Sequence, residues 1–196
     1  MLYKQNLKGS NAMPKPWEVL SSRYVVDNEP WNRTRLDRCR LADGTEIDYY
    51  TQEYPDWVNA VVLTPTRDLV LVRQYRHGIR DMVLEIPGGV VDPGEDARDA
   101  AVREVAEETG YRTDRAPVLL GRYRPNPATS NNWVSSYLLV DARPVGAPEP
   151  DGTEDLEHVV MPFSAFLARV AAGDVPHIFS ALAVLMAARR LTALEA

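Results

Sequence analysis

The chain has 196 residues, of which 45% are hydrophobic, and a net charge of −6 at pH 7. This length predicts one domain, or one domain with an appended element, and the acidic balance argues against a nonspecific nucleic-acid surface, which would be basic. No apolar run reaches the roughly 18–20 residues of a transmembrane helix; since the single cysteine, Cys39, cannot form an internal disulfide, we expect a cytoplasmic protein with Cys39 buried.

The first 55 residues are predicted to carry an appended β-structure. Residues 1–12 read as an expression tag or as a disordered native terminus. Residues 13–55 are predicted to be a strand extension in front of a main domain at 56–196. Three strands are expected in the extension, with Asp43-Gly44 as a hairpin turn between the last two, at 24–26, 31–39 and 46–53.

The main domain alternates short apolar strands with helices. Strands are predicted where β-branched and apolar residues run between turn signals, at 59–63, 69–74, 83–86, 118–122, 133–140 and 158–161. The segment 141–155 is rich in Pro, Gly and acidic residues and is predicted to be a loop. Helices are predicted at 164–171, capped by Ser164, and at 179–194. The irregular order indicates a mixed α/β fold.

A further helix, predicted at 96–109 and ended by Gly110, carries the most informative pattern. Its apolar positions Ala97, Ala101 and Val105 recur every four residues and predict the face that packs on the sheet.

Three carboxylates of this helix, Glu104, Glu107 and Glu108, fall within five residues. Residues three and four apart share one helix face, where like charges cost roughly 0.2–0.5 kcal/mol per pair, so we expect a compensating cation. Oxygen-only ligands suit Mg²⁺ or Mn²⁺, and such ions usually handle phosphates. The histidines show no zinc-ligand spacing and are expected to be structural or surface residues: His77, His158 and His177.

This stretch resembles the Nudix box, G-x5-E-x7-R-E-U-x-E-E-x-G-U, where U is a bulky apolar residue. The pattern is filled by Gly89, Glu95, Arg103, Glu104, Val105, Glu107, Glu108 and Gly110, with Tyr111 in the last U position. From about residue 17 to about residue 190 the chain resembles the ADP-ribose pyrophosphatase-like branch of the Nudix hydrolase superfamily, in the runs VRQYRHG, LEIPGG and GTEDLEHV. The resemblance implies an α/β/α sandwich with a mixed sheet, plus N-terminal antiparallel strands.

Metal ligands are predicted on the box helix and on the loop before it. Glu104 and Glu108, spaced i, i+4, are predicted to bind one Mg²⁺ or Mn²⁺ directly. Glu107 is predicted to hold a second ion or to orient water. The resemblance adds the backbone carbonyl of Gly88 as a further ligand.

The catalytic group is predicted to contain Glu107, Glu108 and two further residues, Arg103 and Glu154. Arg103 is assigned a structural pairing with Glu95 that fixes the loop, although Glu95 could instead join the metal ligands. The resemblance places the general base on the acidic loop, where Glu154 matches best. Its rivals there are Glu149, Asp151 and Glu157.

Four residues are predicted to bind substrate. Arg73 and Arg76 are candidates for contacts with phosphates or a sugar. Gly89 lets the backbone approach the phosphates because it has no Cβ. Glu85, on the strand before the box, is predicted to accept a hydrogen bond from a sugar or base.

The resemblance implies hydrolysis of the pyrophosphate linkage of a nucleotide sugar. ADP-ribose, giving AMP and ribose 5-phosphate, is the first expectation. Many ADP-ribose hydrolases have a Ser-Pro-Gly type run about fifteen residues after the box, where this chain has Asn-Pro-Ala-Thr at 126–129. GDP-mannose or another nucleotide sugar is therefore the alternative, and a non-catalytic nucleotide-sugar sensor is the alternative from another class. The resemblance also implies that the N-terminal strands help to build a homodimer.

Overall fold

The computed structural model describes residues 13–29, 32–149 and 155–195. Its internal contacts divide the chain between Glu53 and Tyr54 into two units, each of which is described by itself. The predicted tag or disordered terminus at 1–12 lies outside the described residues. So do Trp31, Asp151 and Glu154.

The N-terminal unit is a three-stranded antiparallel sheet with β2 in the centre. Its strands are β1 (Glu18–Asn28), β2 (Asn32–Arg40) and β3 (Glu46–Glu53). The predicted hairpin turn is present between β2 and β3, with Gly44 at a φ of +86° that favours glycine. Cys39 is buried as expected. Several large apolar side chains of this unit are exposed: Trp17, Val19, Tyr24, Val25, Val26 and Tyr50.

Within its described residues, the second unit has one larger sheet, one two-stranded ribbon and three helices. The strands are β4 (Trp57–Leu63), β5 (Asp68–Arg76), β6 (Asp81–Glu85), β7 (Tyr111–Arg112), β8 (Val118–Tyr123), β9 (Val134–Leu139), β10 (Arg143–Pro144) and β11 (Leu156–Pro162). The helices are α1 (Ala97–Thr109), α2 (Phe163–Ala172) and α3 (Ile178–Glu195). The larger sheet has the order β11-β5-β4-β9-β8, and β6 also pairs with β5.

The predicted α/β/α sandwich with a mixed sheet is confirmed. β4 and β9 are parallel, whereas the other pairs of this sheet are antiparallel. Along β4, Val58 and Ala60 pack in the apolar cluster under α1, while Val61 and Leu63 pack in the cluster under α2 and α3. This alternation follows from the two-residue period of a strand with both faces covered. None of the helices in the described residues has the length and apolar character needed to cross a bilayer.

Three local predictions were wrong. Ser164 lies inside α2, whose N-cap is Pro162 without a side-chain hydrogen bond, because the helix follows β11 directly. The predicted loop at 141–155 contains β10, which pairs with β7, a strand that the sequence did not indicate. Ile86 lies beyond the end of β6, and its N–H donates to the Ser180 hydroxyl instead of to a strand.

Candidate active site

The loop between β6 and α1 runs beside β4 and needs glycine there. The carbonyls of Pro87 and Gly89 accept hydrogen bonds from Ala60 (3.0 Å) and Val58 (2.9 Å). Because successive residues of an extended segment face opposite ways, Gly88 turns its N–H and carbonyl away from β4. A Cβ on Gly88 would lie 2.2 Å from the Val58 carbonyl oxygen, so no other residue fits without moving the strand.

Caps at both ends set where α1 begins and ends. The carboxylate of Asp96 accepts from the N–H of Arg98 (2.9 Å), which satisfies a donor that has no partner inside the helix. At the other end Gly110 takes the left-handed conformation, with a φ of 72°, and its N–H donates to Ala106. The caps set the two ends of the helix, and the packing of Ala101 and Val105 on the sheet sets the direction of its acidic face.

Glu104, Glu107 and Glu108, the box carboxylates, line the side of α1 next to the glycine loop. Glu108 is buried, and its Oε2 accepts from the N–H of Gly88 at 2.9 Å. Glu104 lies so close to the loop that a Cβ on Gly89 would be 2.5 Å from its carboxylate. The Glu107 side chain is 41% exposed. The box carboxylates therefore run across the helix from its buried side, at Glu108, to its partly exposed side, at Glu107.

Arg103 connects the acidic residues of the box. Its Nε and Nη2 donate to the two oxygens of Glu95, both at 2.9 Å, and its Nη2 also donates to the Val90 carbonyl at 3.0 Å. Its Nη1 donates to both Glu104 (2.9 Å) and Glu107 (3.0 Å). These bonds, that to Glu95 first, raise the pKa of Arg103 above its ordinary value, and the same bond lowers the pKa of Glu95. The predicted pair of Arg103 and Glu95 is present.

The box fits an oxygen-liganded divalent ion by its donors and by the space beside it. Within the described part of the chain, no group of three or more acidic, histidine or cysteine side chains is arranged so that it could hold a metal ion. The cation between Glu104 and Glu107 is at present the Nη1 group of Arg103. Carboxylate and carbonyl oxygens are the ligands that Mg²⁺ and Mn²⁺ prefer. Because Gly89 has no Cβ, the Glu104 carboxylate lies directly against the glycine loop, so carboxylate and backbone oxygens stand close enough together to fit the ion.

The candidates for the general base can be placed only in part. Glu154 lies outside the described residues. Glu149 is exposed, and its N–H donates to the Glu107 carbonyl at 2.7 Å, so the start of the acidic loop is attached to α1. Glu157 lies on β11 opposite Arg73 of β5, and their side chains form an exposed ion pair at 2.9 Å.

Arg76 and Glu85 form a pair that the sequence analysis did not foresee. Arg76 Nε and Nη2 donate to the two oxygens of Glu85 at 2.9 and 2.7 Å. Glu85 is only 1% exposed, and its Oε2 also lies 3.1 Å from Nδ1 of His177. The same Nδ1 lies 2.8 Å from the Ser180 hydroxyl, which accepts from the N–H of Ile86. Direct contact of these residues with a substrate stays a prediction.

Comparison with known families agrees with this geometry. Residues 54–181 match the model of the NUDIX domain. The chain belongs to the Nudix family. Residues 17–51 of this Nudix chain match the model of the nucleoside diphosphate sugar hydrolase N-terminal domain.

Relatives of this Nudix protein are moderately similar. It is 28% identical over 124 residues to a methanol dehydrogenase activator of Bacillus methanolicus, covering 63% of each chain, which is less than two thirds of that relative. It is 29% identical over 143 residues to an ADP-ribose pyrophosphatase of Mycobacterium tuberculosis, covering 72% of this chain and 69% of the relative. A solved structure described as an ADP compounds hydrolase superposes with a TM-score of 0.82 at 21% identity, covering 93% of this chain and 98% of that one, which shows the shared fold.

Proposed function

We propose that this protein hydrolyses the diphosphate linkage of a nucleoside diphosphate joined to a sugar, with ADP-ribose as the first candidate substrate and AMP and ribose 5-phosphate as products. The observation that carries the proposal is that Glu104 and Glu107 share a single guanidinium while Glu108 binds the adjacent glycine loop. Two matches support it: the N-terminal match at 17–51 and the name of the mycobacterial relative. The single, buried cysteine supports a cytoplasmic location.

The box carboxylates and the Gly88 carbonyl are the groups proposed to hold Mg²⁺ or Mn²⁺. When bound, the ion offsets the charge that grows on the phosphate oxygens and lowers the pKa of a bound water. The Gly88 N–H orients Glu108. Arg103 keeps both bonds to Glu95 and so holds the loop, while Glu104 and Glu107 exchange its Nη1 group for the ion.

Arginines on β5 are proposed to bind the substrate's phosphates. The Arg76 side chain is 46% exposed although Glu85 holds it, so its outer edge can meet an anion. Arg73 is proposed to lie at the rim of the site. Its exposed ion pair with Glu157 would open there, and a substrate phosphate would take the place of the carboxylate. Gly89 keeps the loop backbone open to the phosphates.

Glu154 is proposed as the general base, with Glu149 as its rival. Both belong to the acidic loop after β10, and this loop is attached to α1 by the hydrogen bond from the Glu149 N–H to the Glu107 carbonyl. Glu154→Gln is expected to lower kcat about a hundredfold, since general base catalysis contributes about that much or more, and Glu149→Gln to leave kcat unchanged. The opposite result assigns the base to Glu149.

The proposal is tested by a substrate panel with Mg²⁺: ADP-ribose, GDP-mannose and other nucleotide sugars, with products separated by anion-exchange chromatography. AMP from ADP-ribose, lost when EDTA is added, is the expected result. Preferred turnover of GDP-mannose would move the assignment to that substrate, in line with the Asn-Pro-Ala-Thr run at 126–129. Binding by calorimetry without any product would make the protein a sensor and contradict the proposal.

The N-terminal sheet is proposed to form a homodimer. Its exposed side chains include Trp17, Val19 and Tyr50, more apolar surface than a free three-stranded sheet favours. Light scattering at micromolar concentration is expected to give twice the 22.0 kDa chain mass. A monomer under these conditions contradicts the dimer.

A further inference from the structure

The buried Glu85 network joins three elements that are distant in sequence. It consists of Arg76 at the end of β5, Glu85 at the end of β6, and His177 and Ser180 at the start of α3. The Ser180 hydroxyl also accepts from the N–H of Ile86, a residue 94 positions away, where the chain leaves β6 for the glycine loop. The first turn of α3 therefore touches both the carboxylate that holds Arg76 and the backbone that leads to the box.

We propose that His177 is a positioning residue, which fixes Glu85 so that Arg76 presents its guanidinium to a substrate phosphate. The inference rests on the proposed function and adds a residue that lies outside the box and outside the predicted substrate site. Its basis is geometric: His177 Nδ1 lies 3.1 Å from Oε2 of Glu85, the oxygen to which Arg76 Nη2 donates at 2.7 Å.

The protonation of His177 suits this task. Burial lowers the pKa of His177. The charge of Glu85 opposes this shift and that of Arg76 adds to it, and the imidazole is neutral at neutral pH. The hydrogen-bond partner of Nδ1 is the Ser180 hydroxyl at 2.8 Å, and Oε2 of Glu85 lies beside the same nitrogen at 3.1 Å. With the proton on Nδ1, the neutral ring turns a positive dipole toward the carboxylate and does not take its charge. Arg76 remains the cation that compensates Glu85.

Orientation of Arg76 matters because its side chain is long and half exposed. An unrestrained arginine loses rotamer freedom when it binds a ligand, which weakens binding. Two parallel bonds to a carboxylate that is itself fixed remove much of that loss before the substrate arrives. Glu85 can do this only if its own side chain is held, and His177, itself bonded to Ser180, supplies a polar contact at 3.1 Å from outside the strand that carries Glu85.

Two amide substitutions separate positioning from packing. His177→Asn places an N–H donor near the Nδ1 position, whereas His177→Gln places one near Nε2 and is closer to histidine in volume. With ADP-ribose and Mg²⁺, we expect His177→Gln to raise KM about tenfold with a smaller change in kcat, and His177→Asn to stay near the wild type. The exposed His158 on β11, changed to Gln, is the matched control and should leave both constants unchanged. If His177→Asn is as damaged as His177→Gln or more so, the role is packing and the inference is wrong.

A second readout needs neither metal nor turnover. Proton–nitrogen NMR of the arginine side chains, with the Arg76 signal assigned from Arg76→Lys, reports whether its guanidinium rotates. In the wild type and in His177→Asn we expect separate, slowly exchanging Nη signals, and in His177→Gln averaged ones. Inorganic pyrophosphate is then added, and the Arg76 signal should shift at about tenfold lower concentration in the wild type than in His177→Gln.

The two tests keep the inference distinct from the proposed function. If the wild type turns over no nucleotide sugar, the proposed function fails, while the Arg76 signal still decides whether His177 controls the guanidinium. An Arg76 signal that is the same in all three proteins, or that does not respond to pyrophosphate, overturns the inference even if ADP-ribose is hydrolysed.

Discussion

Two acidic regions of the Nudix unit differ in how their charge is compensated. Glu104 and Glu107 of the box share one Nη1 group of Arg103, and Glu107 is partly exposed. Glu85, in contrast, is buried, and both of its oxygens accept from Arg76. A partly exposed carboxylate that shares its cation can exchange that cation for an ion at small cost, whereas a buried carboxylate that loses its cation keeps an uncompensated charge. This difference supports the proposals that the box carboxylates bind the metal and that Glu85 positions Arg76.

The largest expected effect separates the two regions by kinetics. Glu108→Gln should lower kcat more than about a hundredfold, because even the outer hydrogen-bond partners of metal ligands contribute about 10–100-fold. The fold should persist, since the glutamine oxygen can still accept from Gly88. Glu85→Gln should act mainly on KM. Steady-state kinetics with ADP-ribose checks both, and the exposed Asp99→Asn on the same helix is the control. Unchanged activity of Glu108→Gln would refute its assignment as a ligand.

Removal of the shared cation tests the exchange directly. Arg103→Ala should destabilise the metal-free protein by about 1–3 kcal/mol, because hydrogen bonds to charged groups are lost and the carboxylates repel each other. Mg²⁺ should restore part of the thermal midpoint in this variant and raise it more than in the wild type. Differential scanning fluorimetry with and without Mg²⁺ measures this, with the exposed Arg98→Ala as control. An equal Mg²⁺ response in both proteins contradicts the exchange.

Adjacent glycines should respond differently to alanine. A Cβ on Gly88 meets the backbone of β4, so Gly88→Ala should lower the thermal midpoint, by about 1–3 kcal/mol of stability. A Cβ on Gly89 meets the far end of the Glu104 side chain and not the backbone, so Gly89→Ala should keep stability and weaken Mg²⁺ binding. Thermal unfolding and Mg²⁺ calorimetry on both variants check this difference. Loss of stability in Gly89→Ala alone would reverse the assignment.

The smallest expected effect concerns pH and the Glu85 region. The pKa of His177 is lower in the folded protein than its ordinary value of 6.5, chiefly through burial. As the pH falls below 6.5, the unfolded chain takes up a proton that folded His177 does not, so stability decreases. His177→Asn, which does not titrate, should lose less stability between pH 7.5 and pH 5.5. The thermal midpoints of the two proteins, measured over this pH interval, test the prediction. Equal decreases in the wild type and in His177→Asn would contradict the buried neutral state of His177.

The box could be predicted from sequence because its determinants are local. Helical spacing alone places Glu104 and Glu108 on one face, and the pair of Arg103 and Glu95 follows from the same short segment. The Glu85 network could not be predicted in this way. Its bond to Arg76 depends on the β5–β6 register, and its contact with His177 depends on where α3 docks. Both are decided by packing between distant segments and leave no local pattern.

Short elements were missed for a related reason. The strands β7 and β10 have two residues each, so each can be recognised only from its pairing with the other. Arg143 pairs with Arg112, against the usual preference of strands for apolar residues. Ser164 looked like a helix cap, but Pro162 already turns the chain into α2.

The most direct test of the central claim is a titration with Mn²⁺ followed by electron paramagnetic resonance, which counts free and bound ions without any substrate. The wild type is expected to bind Mn²⁺, and Glu104→Gln with Glu108→Gln in one chain to bind it at least tenfold more weakly, while Asp99→Asn binds as the wild type does. Equal Mn²⁺ affinity in the double variant and the wild type would contradict the assignment of the ion to the box carboxylates.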